Sequence, residues 1–109
     1  MEEASKDNYL KLFEVIESSL NSVSNAGAYD QLTLYNGTFM LLYDQRANMV
    51  SVNVEKETVI SLMDEVYKKA SSLSVQKEQS KALQDEILNN YEVYRAAIER
   101  TYSNAEDRK

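Results

Sequence analysis

The near absence of helix-breaking residues constrains the fold more than any other feature of the sequence. The chain has no proline, and its two glycines are Gly27 and Gly37, so residues 38–109 contain neither residue type. Proline lacks the backbone N–H that a helix needs, and glycine has too much backbone freedom, so both weaken or end helices. Long helices are therefore permitted from residue 38 onward.

The N-terminal region has the apolar periodicity of an amphipathic helix. Apolar residues recur every three or four positions between Tyr9 and Val23, with polar residues between them, which places the apolar side chains on one face. Residues 24–27 include Gly27, which can adopt the left-handed conformation that ends many helices. The sequence therefore predicts a helix over residues 4–25.

Residues 30–54 contain the signals of a β-meander. Asn36 and Gly37 favour a two-residue hairpin turn, because a type I′ turn needs positive φ at both central positions. The segment from Met49 to Val54 alternates apolar and polar residues, which is typical of a half-buried strand. We therefore predict three antiparallel strands within residues 30–54.

Two apolar stripes with helical spacing lie within residues 57–105. One runs from Val59 to Leu73 and the other from Ile87 to Ala105. The polar segment between them keeps the two stripes in phase, which permits one long helix, but its serines can also cap a new helix. We favour two C-terminal helices and keep one long helix as the alternative.

Together these segments predict an α+β fold in a single domain over residues 1–109. The predicted order is an N-terminal helix, a three-stranded antiparallel β-meander, and then two C-terminal helices or one long helix. A chain of this length buries roughly two thirds of its unfolded surface, which leaves no room for a second core. Its 43% apolar and 28% charged residues are near globular averages, so we expect a folded chain.

The residue types that most enzymes use are missing. The chain has no histidine and no cysteine, which removes the usual base near neutral pH, the usual thiol nucleophile and the favoured zinc ligands. A catalytic or metal site would require carboxylates from distant segments to converge, for example Asp30, Asp44 and Asp64. We therefore expect no enzyme activity and no catalytic residue, bound cofactor or metal site.

The charge balance and the short apolar runs limit the partners. Eighteen acidic residues against twelve basic ones give a net charge of -6, which repels a nucleic-acid backbone. The longest uninterrupted apolar run, Phe39 to Tyr43, is far shorter than the ~20 residues that span a bilayer. We expect a soluble, cytoplasmic protein that binds neither nucleic acid nor membrane.

Two groups of apolar side chains are candidates for a protein-binding surface. The face of the predicted sheet that contains Met40 must be covered, either by the chain's own helices or by a second chain. The tyrosines of the last stripe suit a partly exposed contact, although they can equally lie at the edge of the protein's own core. The predicted binding residues are Tyr35, Met40, Leu42, Tyr91, Tyr94, Ile98 and Tyr102.

The sequence therefore predicts that the protein functions by binding another protein rather than by catalysis. The leading hypothesis is a small acidic, non-catalytic protein-binding module, such as an adaptor, chaperone or inhibitor, that binds another protein and forms a homodimer. The alternative is a homo-oligomeric structural subunit whose C-terminal helices assemble into a bundle or coiled coil. We identify no known family from motifs in the sequence.

Overall fold

The computed structural model of the chain describes residues 5–107, and these residues form an all-helical fold. In chain order the helices are α1 (Lys6–Ser22), α2 (Ala28–Asp44), α3 (Arg46–Ser51), α4 (Lys56–Ser72) and α5 (Glu78–Asp107), with a 3-10 turn at Val23–Asn25. No strand occurs between residues 5 and 107, of which 87% are helical. The predicted α+β class and the three-stranded meander over residues 30–54 are therefore wrong.

Helix α2 occupies the segment that we expected to form the hairpin. Its buried residues recur at helical spacing throughout: Gln31, Leu32, Tyr35, Thr38, Phe39 and Leu42. Gly37 lies inside the helix on its exposed side, where glycine costs about 1 kcal/mol relative to alanine. Burying one Phe or Leu contributes about 1.5 to 3 kcal/mol, so packing outweighs the local preference of Asn36-Gly37 for a turn.

The predicted third strand forms helix α3 and the turn that follows it. Met49 and Val54 are both fully buried. In the predicted strand they would lie on opposite faces, and only Val54 would point inward. The amide of Val54 donates a hydrogen bond to the carbonyl of Met49 at 2.9 Å, which closes the end of the helix. Between them, Asn53 adopts a φ of 64°, in the left-handed region that Asn tolerates better than most residues.

The first helix is close to the predicted one but ends differently. Ser5 caps α1 by accepting a hydrogen bond from the amide of Asn8, and residue 4, where the predicted helix begins, lies outside the described residues. Gly27 does not use a left-handed conformation: its φ is -64°, and it precedes α2 as the N-cap. The chain instead leaves α1 through the 3-10 turn.

The predicted helical region over residues 57–105 contains two helices, α4 and α5, separated by an extended connector. The side chain of Gln84 caps the end of α4. Its side-chain amide donates to the carbonyls of Ala70 at 2.7 Å and Leu73 at 3.0 Å. These are carbonyls at the end of α4 that lack a partner within the helix.

Side-chain contacts define the directions of the helices. The hydroxyl of Tyr9, near the start of α1, donates to Gln45, just after α2, at 2.6 Å, so α1 and α2 are antiparallel. Asn36 contacts Asn90, and further along both helices Tyr43 packs against Tyr94, so α2 and α5 run parallel.

Helix α4 runs antiparallel to α5, because Gln84 contacts the end of α4 whereas Arg95 contacts Asp64, in its middle. The four long helices therefore alternate in direction along the chain. Helix α5 is the longest, about 45 Å at ~1.5 Å per residue, and it accounts for most of the 48 Å length of the molecule. Helices α2, α3 and α4 all pack against it.

Candidate functional site

The predicted binding residues fall into three groups by exposure. Tyr35, Leu42, Ile98 and Tyr102 are buried in the core. Tyr91 and Tyr94 are partly buried against it, and Met40 is 46% exposed. The structure therefore does not gather these seven side chains into one surface, and Met40 is the member most accessible to a partner.

The buried tyrosine hydroxyls form hydrogen bonds inside the bundle. Tyr35 donates to the side-chain oxygen of Gln31, and Tyr102 donates to the carbonyl of Val54 at 2.7 Å. Burial raises the pKa of Tyr35, and burial together with the charge of Glu57 raises the pKa of Tyr102 to about 12. Both hydroxyl groups therefore have hydrogen-bond partners within the fold.

A polar cluster joins α4 to α5 around Tyr91. The Tyr91 hydroxyl donates to Asp64 at 2.5 Å, and Arg95 bonds the same carboxylate at 2.8 Å and Glu99 at 2.8 Å. Burial and the hydrogen bond to Asp64 raise the pKa of Tyr91, and the bond to Glu99 raises the pKa of Arg95. These contacts connect the middle of α4 to α5.

The carboxylates from distant segments do not converge. Asp30 and Asp44 lie near opposite ends of α2, about 21 Å apart along the helix axis, and Asp64 is engaged by Arg95. Within residues 5–107, no group of three or more acidic side chains is placed to hold a metal ion.

The largest group of exposed apolar side chains lies along the line where α2 and α5 meet. Among residues 5–107, the exposed large apolar side chains are Val15 on α1, Tyr29 and Met40 on α2, and Val93 on α5. Asn90 donates to Asn36 at 3.2 Å across the two helices, and Asn36 in turn contacts the sulfur of Met40. Val93 is one turn beyond Asn90. We call Tyr29, Asn36, Met40, Asn90 and Val93 the α2–α5 face.

The α2–α5 face is low in charge at its centre and acidic at one end. Helix α2 contains no charged residue from Gln31 to Tyr43. At the end near Tyr29, a shallow groove is lined by Leu83, Asn89 and the carboxylates of Asp85 and Glu86. An apolar centre without charge and a polar rim are the features that distinguish protein-binding surfaces.

Val93 and Tyr29 were not among the predicted site residues. Val93 lies outside the apolar stripe that contains Tyr91, Tyr94 and Ile98, and it is 63% exposed. The available signal was its position: it is a large aliphatic residue on the polar side of an otherwise amphipathic helix. Tyr29 lies between the predicted helix over residues 4–25 and the predicted strands within residues 30–54, so the sequence placed it in no element.

Comparison of the chain with protein-family models, with curated proteins and with solved structures finds no significant match. Across residues 5–107, none of the helices combines the length and the apolar content that crossing a bilayer requires.

Proposed function

We propose that the protein is a small acidic, non-catalytic protein-binding module and that the α2–α5 face is its contact surface. The observation behind this proposal is that, among residues 5–107, three of the four exposed large apolar side chains lie along one helix pair: Tyr29, Met40 and Val93. Scattered apolar residues are normal on a protein surface, whereas exposed apolar side chains on one side of a helix pair support the proposal of an interaction site there.

The electrostatics of this face favour a protein partner over a nucleic acid. The chain has a net charge of -6, and Asp85 and Glu86 line the groove beside Tyr29, so a phosphate backbone would be repelled there. A partner surface with an apolar centre complements the region around Met40 and Val93. We also propose a cytoplasmic location, which fractionation of cells producing the tagged chain tests.

The alternative function is a homo-oligomeric structural subunit that assembles through its C-terminal helices. The inward side of α5 is occupied within the bundle, since Ile87, Ile98 and Tyr102 are buried there. The exposed side of α5, which includes Val93, is the part of this helix that remains for assembly. Both functions therefore use the same surface and differ in the partner.

A pair of valines provides a matched test of the proposed surface. Val93 on α5 and Val15 on α1 are 63% and 62% exposed, and both lie inside long helices. A glutamate at either position therefore introduces the same charge at the same exposure. We would use the tagged chain to capture binding proteins, including untagged copies of itself, with the wild type, Val93→Glu and Val15→Glu.

We expect Val93→Glu to lose the captured proteins and Val15→Glu to retain them, with equal helical circular dichroism for all three chains. The reason is that a glutamate at the centre of an apolar contact must be desolvated on binding, which costs several kcal/mol when it lacks a partner. Equal capture by Val93→Glu and the wild type would contradict the proposal. Loss with Val15→Glu alone would move the contact surface to α1.

A further inference from the structure

The exposed side of α5 has charges of opposite sign placed evenly about Val93. Glu86, Val93 and Arg100 follow one another at intervals of seven residues, which keeps them on one side of a helix. All three are exposed. Val93 is therefore the midpoint of the strip from Glu86 to Arg100, which is acidic at one end and basic at the other.

In the part of the chain that the structure describes, neither of these charges has a partner in its own helix. The residues three and four positions from Glu86 are Ala82, Leu83, Asn89 and Asn90, and those around Arg100 are Ala96, Ala97, Ser103 and Asn104. None of these eight neighbours is charged, although such positions are where helical ion pairs form. Among residues 5–107, the ion pairs involve Arg95 and include neither Glu86 nor Arg100.

We propose that the α2–α5 face binds a second copy of this chain, with the two α5 helices antiparallel and the two-fold axis beside Val93. This inference rests on the proposed contact surface and names its partner. In a two-fold contact the same patch is used by both copies, so it must be self-complementary. The strip meets that condition, because reversing its direction exchanges its acidic and basic ends.

The antiparallel arrangement fixes which residues meet. With the axis at Val93, a residue that lies a given number of positions after Val93 faces the residue the same number of positions before it on the other copy. Glu86 of each copy then faces Arg100 of the other, and Asn89 faces the small side chain of Ala97. The two Val93 side chains meet at the axis, in the low-charge centre of the face.

A parallel pairing of the same strips is disfavoured by its charges. It would place Glu86 opposite Glu86 and Arg100 opposite Arg100, and like charges that face each other across an interface oppose association. The antiparallel pairing replaces both repulsions with attractions. The sign pattern of the strip therefore selects the direction as well as the partner.

Charge reversal at the two ends tests this arrangement through the oligomeric state. Arg100→Glu leaves only acidic ends, and Glu86→Arg leaves only basic ends, so each variant alone should be a weaker dimer. We expect the dissociation constant, measured by sedimentation over a range of concentrations, to rise about tenfold or more for each variant. An equimolar mixture of the two variants should form a heterodimer with wild-type affinity.

The controls change charge on α5 away from the strip. Glu92→Arg and Lys81→Glu are exposed substitutions that alter the net charge as the two test variants do, and both should leave the dimer unchanged. Circular dichroism should report the same helical content for all variants, because every substituted side chain is at the surface.

Two results would overturn the inference. One is a wild-type chain that remains monomeric at the highest concentration measured, and the other is a mixture of Glu86→Arg and Arg100→Glu that associates no better than either variant alone. Either result would leave the proposed function standing if Val93→Glu still loses a captured protein that differs from the chain itself. If Val93→Glu binds everything that the wild type binds, the contact surface is wrong as well.

Discussion

The hydroxyl of Tyr102, near the end of α5, donates a hydrogen bond to the backbone carbonyl of Val54 at 2.7 Å. This bond joins the last turns of the longest helix to the connector between α3 and α4. Both residues are buried, with Tyr102 8% and Val54 1% exposed. The bond exists only while the phenol keeps its proton.

The raised pKa of Tyr102 predicts a loss of stability at high pH. Its pKa is about 12 in the folded chain and about 10 when unfolded. Above pH 10 the unfolded chain therefore binds fewer protons than the folded one, and the free energy of unfolding decreases as the pH rises. We expect a loss of about 2 kcal/mol between pH 10 and 12 from this group.

Thermal unfolding at a series of pH values, with Tyr102→Phe as the control, measures this effect. The variant lacks the hydrogen bond to Val54, so it should be less stable at neutral pH by roughly 1 kcal/mol. Its stability should then decrease less than that of the wild type between pH 10 and 12. Parallel decreases for the two chains would show that Tyr102 ionises normally.

The positive φ of Asn53 predicts an order of stability among substitutions. At φ 64° a side chain with a Cβ is strained, by about 1 to 2 kcal/mol for an ordinary residue. We expect Asn53→Ala to lower the free energy of unfolding in urea by roughly 1 kcal/mol, and Asn53→Gly to leave it unchanged or raise it. A glycine variant less stable than the alanine variant would contradict this turn.

Gly37→Ala tests whether residue 37 lies in a helix, because the substitution should change stability in opposite directions in a helix and in a hairpin turn. A Cβ added at Gly37 meets nothing within 4 Å, and alanine favours a helix interior over glycine, so Gly37→Ala should stabilise the chain by about 0.5 to 1 kcal/mol. In a type I′ hairpin turn the same substitution would destabilise, because alanine avoids positive φ. Urea unfolding distinguishes the two outcomes.

A second glycine is the control for that measurement. Gly27 is the N-cap of α2 and also has open space around it, but alanine is a poorer N-cap than glycine. Gly27→Ala should therefore destabilise the chain slightly, in the opposite direction to Gly37→Ala. The same sign at both positions would indicate a general effect of alanine rather than a helix at residue 37.

The amide of Gln84 predicts a difference between Gln84→Glu, which keeps the size of the side chain, and Gln84→Ala, which removes most of it. Gln84 donates to two carbonyls at the end of α4, and a carboxylate can only accept. Gln84→Glu should therefore lower the free energy of unfolding by roughly 1 to 3 kcal/mol. Gln84→Ala should lower it by less. The exposed Gln79→Glu is the control and should have little effect. A larger loss for alanine than for glutamate would show that the side chain acts by packing.

The error over residues 30–54 has a specific physical origin. The segment is apolar at positions that satisfy both a two-residue and a 3.6-residue period, and Asn36-Gly37 favoured the former locally. Helix α2 forms because Phe39, Leu32 and Leu42 are all fully buried in the bundle. This burial depends on contacts with other helices, which the local sequence does not show. The predicted strands left the face with Met40 and Leu42 in need of a cover, whereas the helix buries Leu42 and leaves Met40 46% exposed.

The helical regions were more predictable than the contact surface. The stripes of α1, α4 and α5 appear directly in the spacing of apolar residues such as Phe13, Val66 and Ile98, all of which are buried. The same reasoning assigned the tyrosines of α5 to a binding surface, because phenols suit both an interface and the edge of a core. Tyr102 can be buried because the carbonyl of Val54 accepts a hydrogen bond from its hydroxyl. The two residues are 48 positions apart, so sequence spacing does not reveal this contact.

Distances between spin labels at single introduced cysteines test the central claim most directly, since the chain contains no cysteine of its own. With antiparallel α5 helices centred on Val93, labels at Val93→Cys should be about 10 to 15 Å apart, whereas labels at Ala82→Cys should be separated by about 33 Å along the axis. Labels at Val15→Cys should be farther apart than those at Val93→Cys. No short distance at residue 93, or equally short distances at residues 82 and 93, would contradict the antiparallel contact.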